Sequence, residues 1–237
     1  MAIKINPRWQ IITLVRDCIK HIFLGKSKSK SIKYKYGLLK GLKFNIDDKT
    51  KFNVMCGCYE TEIKKWCENF TSKAQWAIDV GSDSGYYALY FAAQENIKQI
   101  FAFEPNIISI EKLKKNAELN GPCLLKKIVI FNKFVSERNN GKEYNLDVNL
   151  YGLKAEPLII KIDVDGGEGK VLKSLNRTLK ENKCMLIIET HSQELERECN
   201  NYLKDRGYQT KIIKNAWWRM FFPEDRPIEH NRWLVAY

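Results

Sequence analysis

The rhythm of apolar and polar positions changes once along this chain. Near the N-terminus Ile11, Ile12, Val15, Ile19, Ile22 and Phe23 recur at helical spacing, with Pro7 near the start and Gly25 at the end. The tract GKSKSKSIKYK that follows is basic and polar, and predicts no regular element. Between Tyr36 and Tyr59 the runs LLKGLKFNI and KFNVMC predict short strands, with Asp47-Asp48 at the turn between them. Glu60 to Phe70 places Ile63, Trp66, Cys67 and Phe70 on one helical face. Beyond this point apolar strands alternate with helices, which predicts a mostly parallel α/β sheet covered on both faces.

The predicted strands are Trp76–Val80, Gln99–Glu104, Ile128–Phe134, Leu158–Val164, Met185–Glu189, Gln209–Ile213 and Trp233–Tyr237. The predicted helices between them are Tyr86–Gln94, Ile108–Asn120, Gly169–Leu179 and Gln193–Arg206. Asn139–Glu156 has no readable period, and no internal repeat is present. This divides the chain into an N-terminal extension, 1–73, and a main domain, 74–237.

Composition narrows the class. Hydrophobic residues make up 44%, enough for a sizeable core. Lys+Arg of 40 against Asp+Glu of 28 gives a net charge of +12, concentrated toward the N-terminus. Such a surplus suits an anionic partner, or is simply a solvated lysine-rich surface, which is the preferred reading. The basic helix and tract over residues 8–35 can lie on an anionic membrane surface or pack on the main domain or a partner subunit; packing is the expectation. The seven scattered cysteines fit reduced thiols, so the expected compartment is the cytoplasm, with peripheral membrane contact as the second option. No stretch is long and apolar enough to span a bilayer, and Arg16, Asp17 and Lys20 interrupt any signal-like run.

The most specific segment is AIDVGSDSGYYALYFA, Ala77 to Ala92. An apolar strand carries Asp79, and Gly81 and Gly85 then frame a tight turn into a helix. The backbone can turn sharply there and let a ligand approach amides at the helix start. The Gly-x-x-x-Gly spacing suits a small anionic group, such as the carboxylate of S-adenosylmethionine, better than a dinucleotide. The next strand runs into Glu104, and an acid at that strand end can accept both hydroxyls of a ribose.

In these segments the chain resembles the FkbM-type methyltransferases, from about Gly37 to the C-terminus. GLLKGLKF and GCYETE are similar to the family's opening segment. AIDVGSDSGYYALYFA is similar to its first motif, FAFEPNIISIEKLKKNAELNG to its second, and IIKIDVDGGEGKVLK to its fourth-strand motif. The resemblance implies a Rossmann-like class I methyltransferase fold, with a seven-stranded mostly parallel sheet and an antiparallel last strand. It implies S-adenosylmethionine as cofactor and O-methyl transfer, with sugars and polyketide-like natural products among the acceptors; the acceptor expected here is a hydroxyl of a sugar, glycan or glycosylated natural product. Carried onto this sequence, the cofactor residues are Asp79, Gly81, Ser82, Asp83, Gly85, Tyr86, Glu104, Pro105, Asn106, Ser136 and Asp163. Where the family commonly has Gly-Ala-Asn, this chain has Gly81-Ser82-Asp83, and Asp83 can still face the cofactor's amino group.

The chemistry is expected beyond the strand ends KIDVDGGE and IIETH. A sugar hydroxyl is a poor acid, so a nearby base helps its methylation. His191 is the expected base, with Asp163 as its rival; a structural imidazole is the alternative. Asp165, Glu168, Glu189 and His230 are the expected acceptor contacts at the same edge. Trp217, Trp218 and Arg219, from the aromatic segment NAWWRMFFPEDRPIEHNRW, are a substrate platform or a packed lid. Asp163, Glu189 and His191 carry ligand types suited to a metal, but their spacing has no metal signature and none is expected.

Two rival functions remain. The net charge suggests an RNA 2′-O-methyltransferase, but Glu189-Thr190-His191 does not resemble the Lys-Asp-Lys-Glu pattern, and no RNA-binding module motif is present, so nucleic acid is not an expected partner. The second is a non-catalytic binding protein that keeps the fold, against which the intact Asp79, Gly81, Gly85 and Glu104 argue.

Overall fold

The computed structural model describes residues 7–27, 29–150, 156–220 and 230–237. The chain divides into two compact units. One holds the described residues up to Thr61 and those from Asn215 to Met220. The other holds Glu62–Lys214 and the C-terminal strand.

The first unit contains α1 (Pro7–Leu24), β1 (Ser29–Lys33), β2 (Lys43–Asp47), α2 (Phe52–Met55) and a 3-10 turn at Trp217–Met220. β1 and β2 pair antiparallel, Ile32 opposite Phe44. Leu24, Ile46 and Met55 form a small cluster there, with Ile32 and Phe52 against it. Three expectations change here. The basic tract supplies β1, because the apolar face of β2 gives Ile32 something to pack on. KFNVMC is a helical turn and not a strand: Val54 and Met55 are adjacent and both buried, which a half-exposed strand cannot achieve. The apolar side of α1 also points outward, with Arg16 and Leu24 buried instead.

The second unit opens with a 3-10 turn (Thr61–Ile63, shared at Thr61) and α3 (Lys64–Thr71), and continues through β3 (Trp76–Val80), α4 (Tyr86–Ala92), β4 (Gln99–Phe103), α5 (Ile107–Glu118), α6 (Pro122–Lys127) and β5 (Ile128–Phe131). The short β6 (Phe134–Val135), β7 (Glu143–Tyr144) and α7 (Leu146–Asn149) follow. Then come β8 (Pro157–Ile162), α8 (Glu168–Lys173), α9 (Thr178–Glu181), β9 (Lys183–Thr190), α10 (Gln193–Lys204), β10 (Thr210–Ile213) and β11 (Arg232–Ala236). The seven-stranded sheet has the order β10-β11-β9-β8-β3-β4-β5. β11 runs antiparallel to both neighbours, and the pairs from β9 to β5 are parallel.

The central strands are buried along both faces, and on one of these faces Ile78, Val80, Ile160, Ile162, Leu186 and Ile188 join one core. Chain order reverses between β3 and β8, which opens a crevice beyond their carboxyl ends. The predicted helix Gly169–Leu179 is two helices. The Asp147 carboxylate accepts from the backbone N–H of Arg177 and Thr178 and starts α9 afresh. β5 stops at Phe131, where Asn132 turns its side-chain amide back to the Glu104 and Pro105 carbonyls at 3.0 and 2.8 Å. Among the described residues no helix is long and apolar enough to cross a membrane.

Candidate active site

The turn after β3 is dictated by glycine. Gly81 has φ +82°, and a Cβ there would lie 1.8 Å from the carbonyl oxygen of Asp163. Only glycine allows the ends of β3 and β8 to approach this closely. Gly85, at φ +91°, leads into α4 with Leu113 packed where a Cβ would sit. Between them Asp83 is left-handed as well, at φ +41°. Its carboxylate accepts from Ser109 Oγ at 2.8 Å and from Ser84 Oγ at 3.2 Å, which holds the loop against α5.

Glu104 ties this loop to the end of β4. The backbone N–H of Asp83 donates to Oε2 at 2.9 Å, and that of Asn106 to Oε1 at 2.8 Å. Burial raises the Glu104 pKa against the opposing effect of these two bonds. Each oxygen keeps a further lone pair for a ligand hydroxyl. Asn106 in turn caps α5, accepting from Ile108 N–H at 2.9 Å.

A cleft of about 640 Å³ lies beyond these strand ends. Gly81, Glu104, Pro105, Ser136, Glu143, Asp163 and Asp165 are among the residues that line its walls. Ser136 Oγ donates to Glu143 Oε1 at 3.0 Å, bracing that part of the wall. Of the predicted cofactor residues, Gly81, Glu104, Pro105, Ser136 and Asp163 line the cleft. Ser82 and Tyr86 are buried beside it, and Asp83, Gly85 and Asn106 shape its loops. Asp79 is buried and does not face the cleft; burial pushes its pKa up to about 7, with the Lys161 ammonium opposing the rise.

His191 follows β9 directly. Its Nδ1 lies 2.5 Å from Oε1 of Glu168, which is fully buried at the start of α8. Its Nε2 faces Asp165 Oδ1 at 3.5 Å, Asp163 Oδ1 at 3.8 Å and Glu189 Oε1 at 3.9 Å. Burial alone would lower the His191 pKa, but the Glu168 hydrogen bond and the charges of Asp163, Glu168 and Asp165 outweigh it and raise it. Nε2 itself is covered, and His191, Glu168 and Glu189 lie outside the residues that line the cleft, where they were expected. The nearest of these, the Asp165 carboxylate, is 69% exposed, on the Asp165-Gly166-Gly167 turn.

Lys161 was missed by the sequence reading. It is fully buried in β8, with Nζ 3.8 Å from both Asp163 Oδ2 and Glu189 Oε2 and 4.9 Å from the Tyr87 ring centre. A lysine inside the apolar run LIIKI was the available signal, since a buried ammonium must be paired. Asn140, Glu143 and Lys170 in the cleft wall were also missed: Asn140 and Glu143 lie in the stretch with no readable period, and Lys170 reads as a solvated lysine on a helix. Asp163, Glu189 and His191 offer ligand atoms within 4.8 Å of one another. Lys161 already places positive charge against both of those carboxylates.

The remaining candidates lie elsewhere. His230 Nε2 is 3.4 Å from Glu196 Oε2, and Arg232 Nη2 is 2.6 Å from Glu196 Oε1. His230 thus belongs to a separate ion-pair group on α10. Trp217 is exposed and Arg219 buried, both in the first unit. The side chain of Trp218 and residues 221–229 lie outside the described residues.

The fold is shared with known methyltransferases. The family model described as "Methyltransferase FkbM domain" matches residues 79–210. A search of curated protein sequences gives no match. Among solved structures, the methyltransferase FkbM from Methylobacillus flagellatus KT is similar at TM-score 0.56 and 15% identity, over 78% of this chain and 52% of that one. This chain therefore spans about half the length of that protein. The human methyltransferase 10 domain containing protein is similar at TM-score 0.53 and 14% identity, over 95% and 96% of the two chains. M. jannaschii TYW2, in complex with AdoMet, is similar at TM-score 0.50 and 17% identity, over 90% and 86%. The family match spans more than half of the chain and contains the glycine turn, Glu104 and the His191 cluster, so this protein belongs to the FkbM-type methyltransferases and is an S-adenosylmethionine-dependent methyltransferase.

Proposed function

We propose that this enzyme methylates a hydroxyl oxygen, with a sugar or glycan as the acceptor class. The observation that carries this reading is the His191–Glu168 pair, with His191 Nε2 3.5 Å from Asp165 and 3.8 Å from Asp163, both of which line the cleft. An acceptor that is a weak acid needs a base, and a histidine held by a buried carboxylate is one.

The chain's residues fit the cofactor. The Gly81–Gly85 turn has no side chain where a ligand would approach the backbone, and Glu104 is held ready to accept ribose hydroxyls. Asp163 and Asp165 give the cleft lining acidic groups, which suits a cationic sulfonium. The volume of about 640 Å³ lies within the roughly 300–1,000 Å³ usual for small-molecule pockets. When bound, S-adenosylmethionine supplies an electrophilic methyl group.

The protein's own work is then alignment and proton removal. Glu168 accepts the His191 Nδ1–H and fixes the tautomer, which leaves Nε2 to take the acceptor proton. An entering hydroxyl displaces the exposed Asp165 carboxylate to reach Nε2. Asp163 then stabilises the imidazolium that forms, and Lys161 fixes Asp163 and Glu189 in place. Good alignment alone can recover roughly 7–11 kcal/mol of such a barrier. The sugar preference rests on the resemblance of the sequence to the FkbM-type methyltransferases, which implies sugars among the acceptors.

The test is incubation with methyl-labelled cofactor and a panel of glycans, glycolipids and RNA. Label in an O-methyl sugar supports the reading. Label in RNA, or on nitrogen, overturns it.

A further inference from the structure

Helix α1 carries its apolar side toward solvent. Leu14 is 64% exposed and Ile22 82%, and Ile11, Val15, Ile19 and Phe23 are exposed with them. Their spacing makes one continuous stripe along the helix. The opposite side faces the small core: Leu24 joins Ile46 and Met55, and the Arg16 guanidinium lies 5.7 Å from the Phe52 ring centre. The amphipathic pattern is therefore real, but reversed in direction. A stripe of this kind marks a contact surface.

The charge beside it indicates what covers it. Lys30 Nζ lies 4.7 Å from the Phe23 ring centre, at the C-terminal end of the stripe. Lys26, Lys33 and Lys35 are close by in sequence, and Asp17 is the sole acidic residue before Asp47. A second copy of this chain packed on the same face would set these basic tracts against each other, at a Coulombic cost. An anionic bilayer satisfies both features, with acyl chains for the stripe and a negative surface for the lysines. We propose that α1 and the lysines of β1 dock this enzyme on an anionic lipid surface, the Ile11–Phe23 stripe lying at the headgroup–acyl boundary.

Co-sedimentation with vesicles tests this. The full chain should pellet with phosphatidylglycerol/phosphatidylcholine vesicles, bind phosphatidylcholine alone roughly tenfold less or weaker, and be released by salt. Leu14→Asp/Ile22→Asp should stay in the supernatant with unchanged far-UV circular dichroism, since both side chains point away from the fold. Lys26→Glu/Lys30→Glu should weaken binding in an intermediate way. The proposal is overturned if the full chain does not pellet, or if the double Asp variant pellets as well as the parent. It is also overturned if the parent is a dimer in sedimentation velocity that this variant dissociates while neither binds vesicles, because the stripe is then an interface between copies.

Discussion

Nδ1 of His191 lies 2.5 Å from Oε1 of Glu168, a carboxylate with no exposed surface. This contact fixes the imidazole and raises its pKa above 6.5, with Asp163 and Asp165 adding to the rise. A base works in its neutral form, so methyl transfer should increase as pH rises through this raised value. Glu168→Gln can still accept the Nδ1–H but carries no charge. Its pH–rate limb should move to lower pH and its maximal rate should fall. His191→Ala should lose roughly 10²–10⁴-fold in turnover. A pH–rate series on the three proteins checks this; an unshifted limb in Glu168→Gln would show that the pair is only structural.

The same cluster predicts indifference to chelators. Lys161 Nζ sits 3.8 Å from Asp163 Oδ2 and Glu189 Oε2, so these carboxylates already have a cation. Transfer should be unchanged after EDTA treatment and dialysis. Loss of activity that Mg²⁺ or Mn²⁺ restores would mean that His191 binds metal instead of taking a proton.

Asp79 predicts how stability depends on pH. Its pKa is raised by burial from 3.8 to about 7. Between these values the folded chain holds a proton that the unfolded chain has released, so stability falls as pH rises through the window and levels off above it. Asp79→Asn, a neutral neighbour for Lys161, should flatten that slope. Thermal melts at about pH 5 and about pH 8 compare the two proteins. Equal changes in midpoint would show that Asp79 ionises without penalty.

Much of the second unit was legible because its physics is local. Trp76–Val80 was readable as a continuous apolar strand, and Gly81 and Gly85 as punctuation demanded by positive φ. The Glu104 position followed from the strand end. Where the sequence misled, partners distant in the chain decided the outcome. Phe52–Met55 is too short for periodicity to tell helix from strand. β1 exists only because β2 pairs with it. The cleft wall at Ser136, Asn140 and Glu143 is braced by side-chain hydrogen bonds that leave no periodic trace. His230 was placed with His191 because β11 returns beside β9, but Glu196 on α10 holds it.

The cofactor claim underlies every chemical step above, and calorimetric titration of S-adenosylmethionine into three proteins tests it most directly. Wild type and His191→Ala should bind with similar affinity, because Glu104 and the Gly81–Gly85 turn are intact in both. Glu104→Ala should bind more weakly by at least ~1 kcal/mol, the cost of losing a charged acceptor, with its fold checked by circular dichroism. The account is contradicted if folded Glu104→Ala binds as tightly as wild type, or if wild type does not bind S-adenosylmethionine at all.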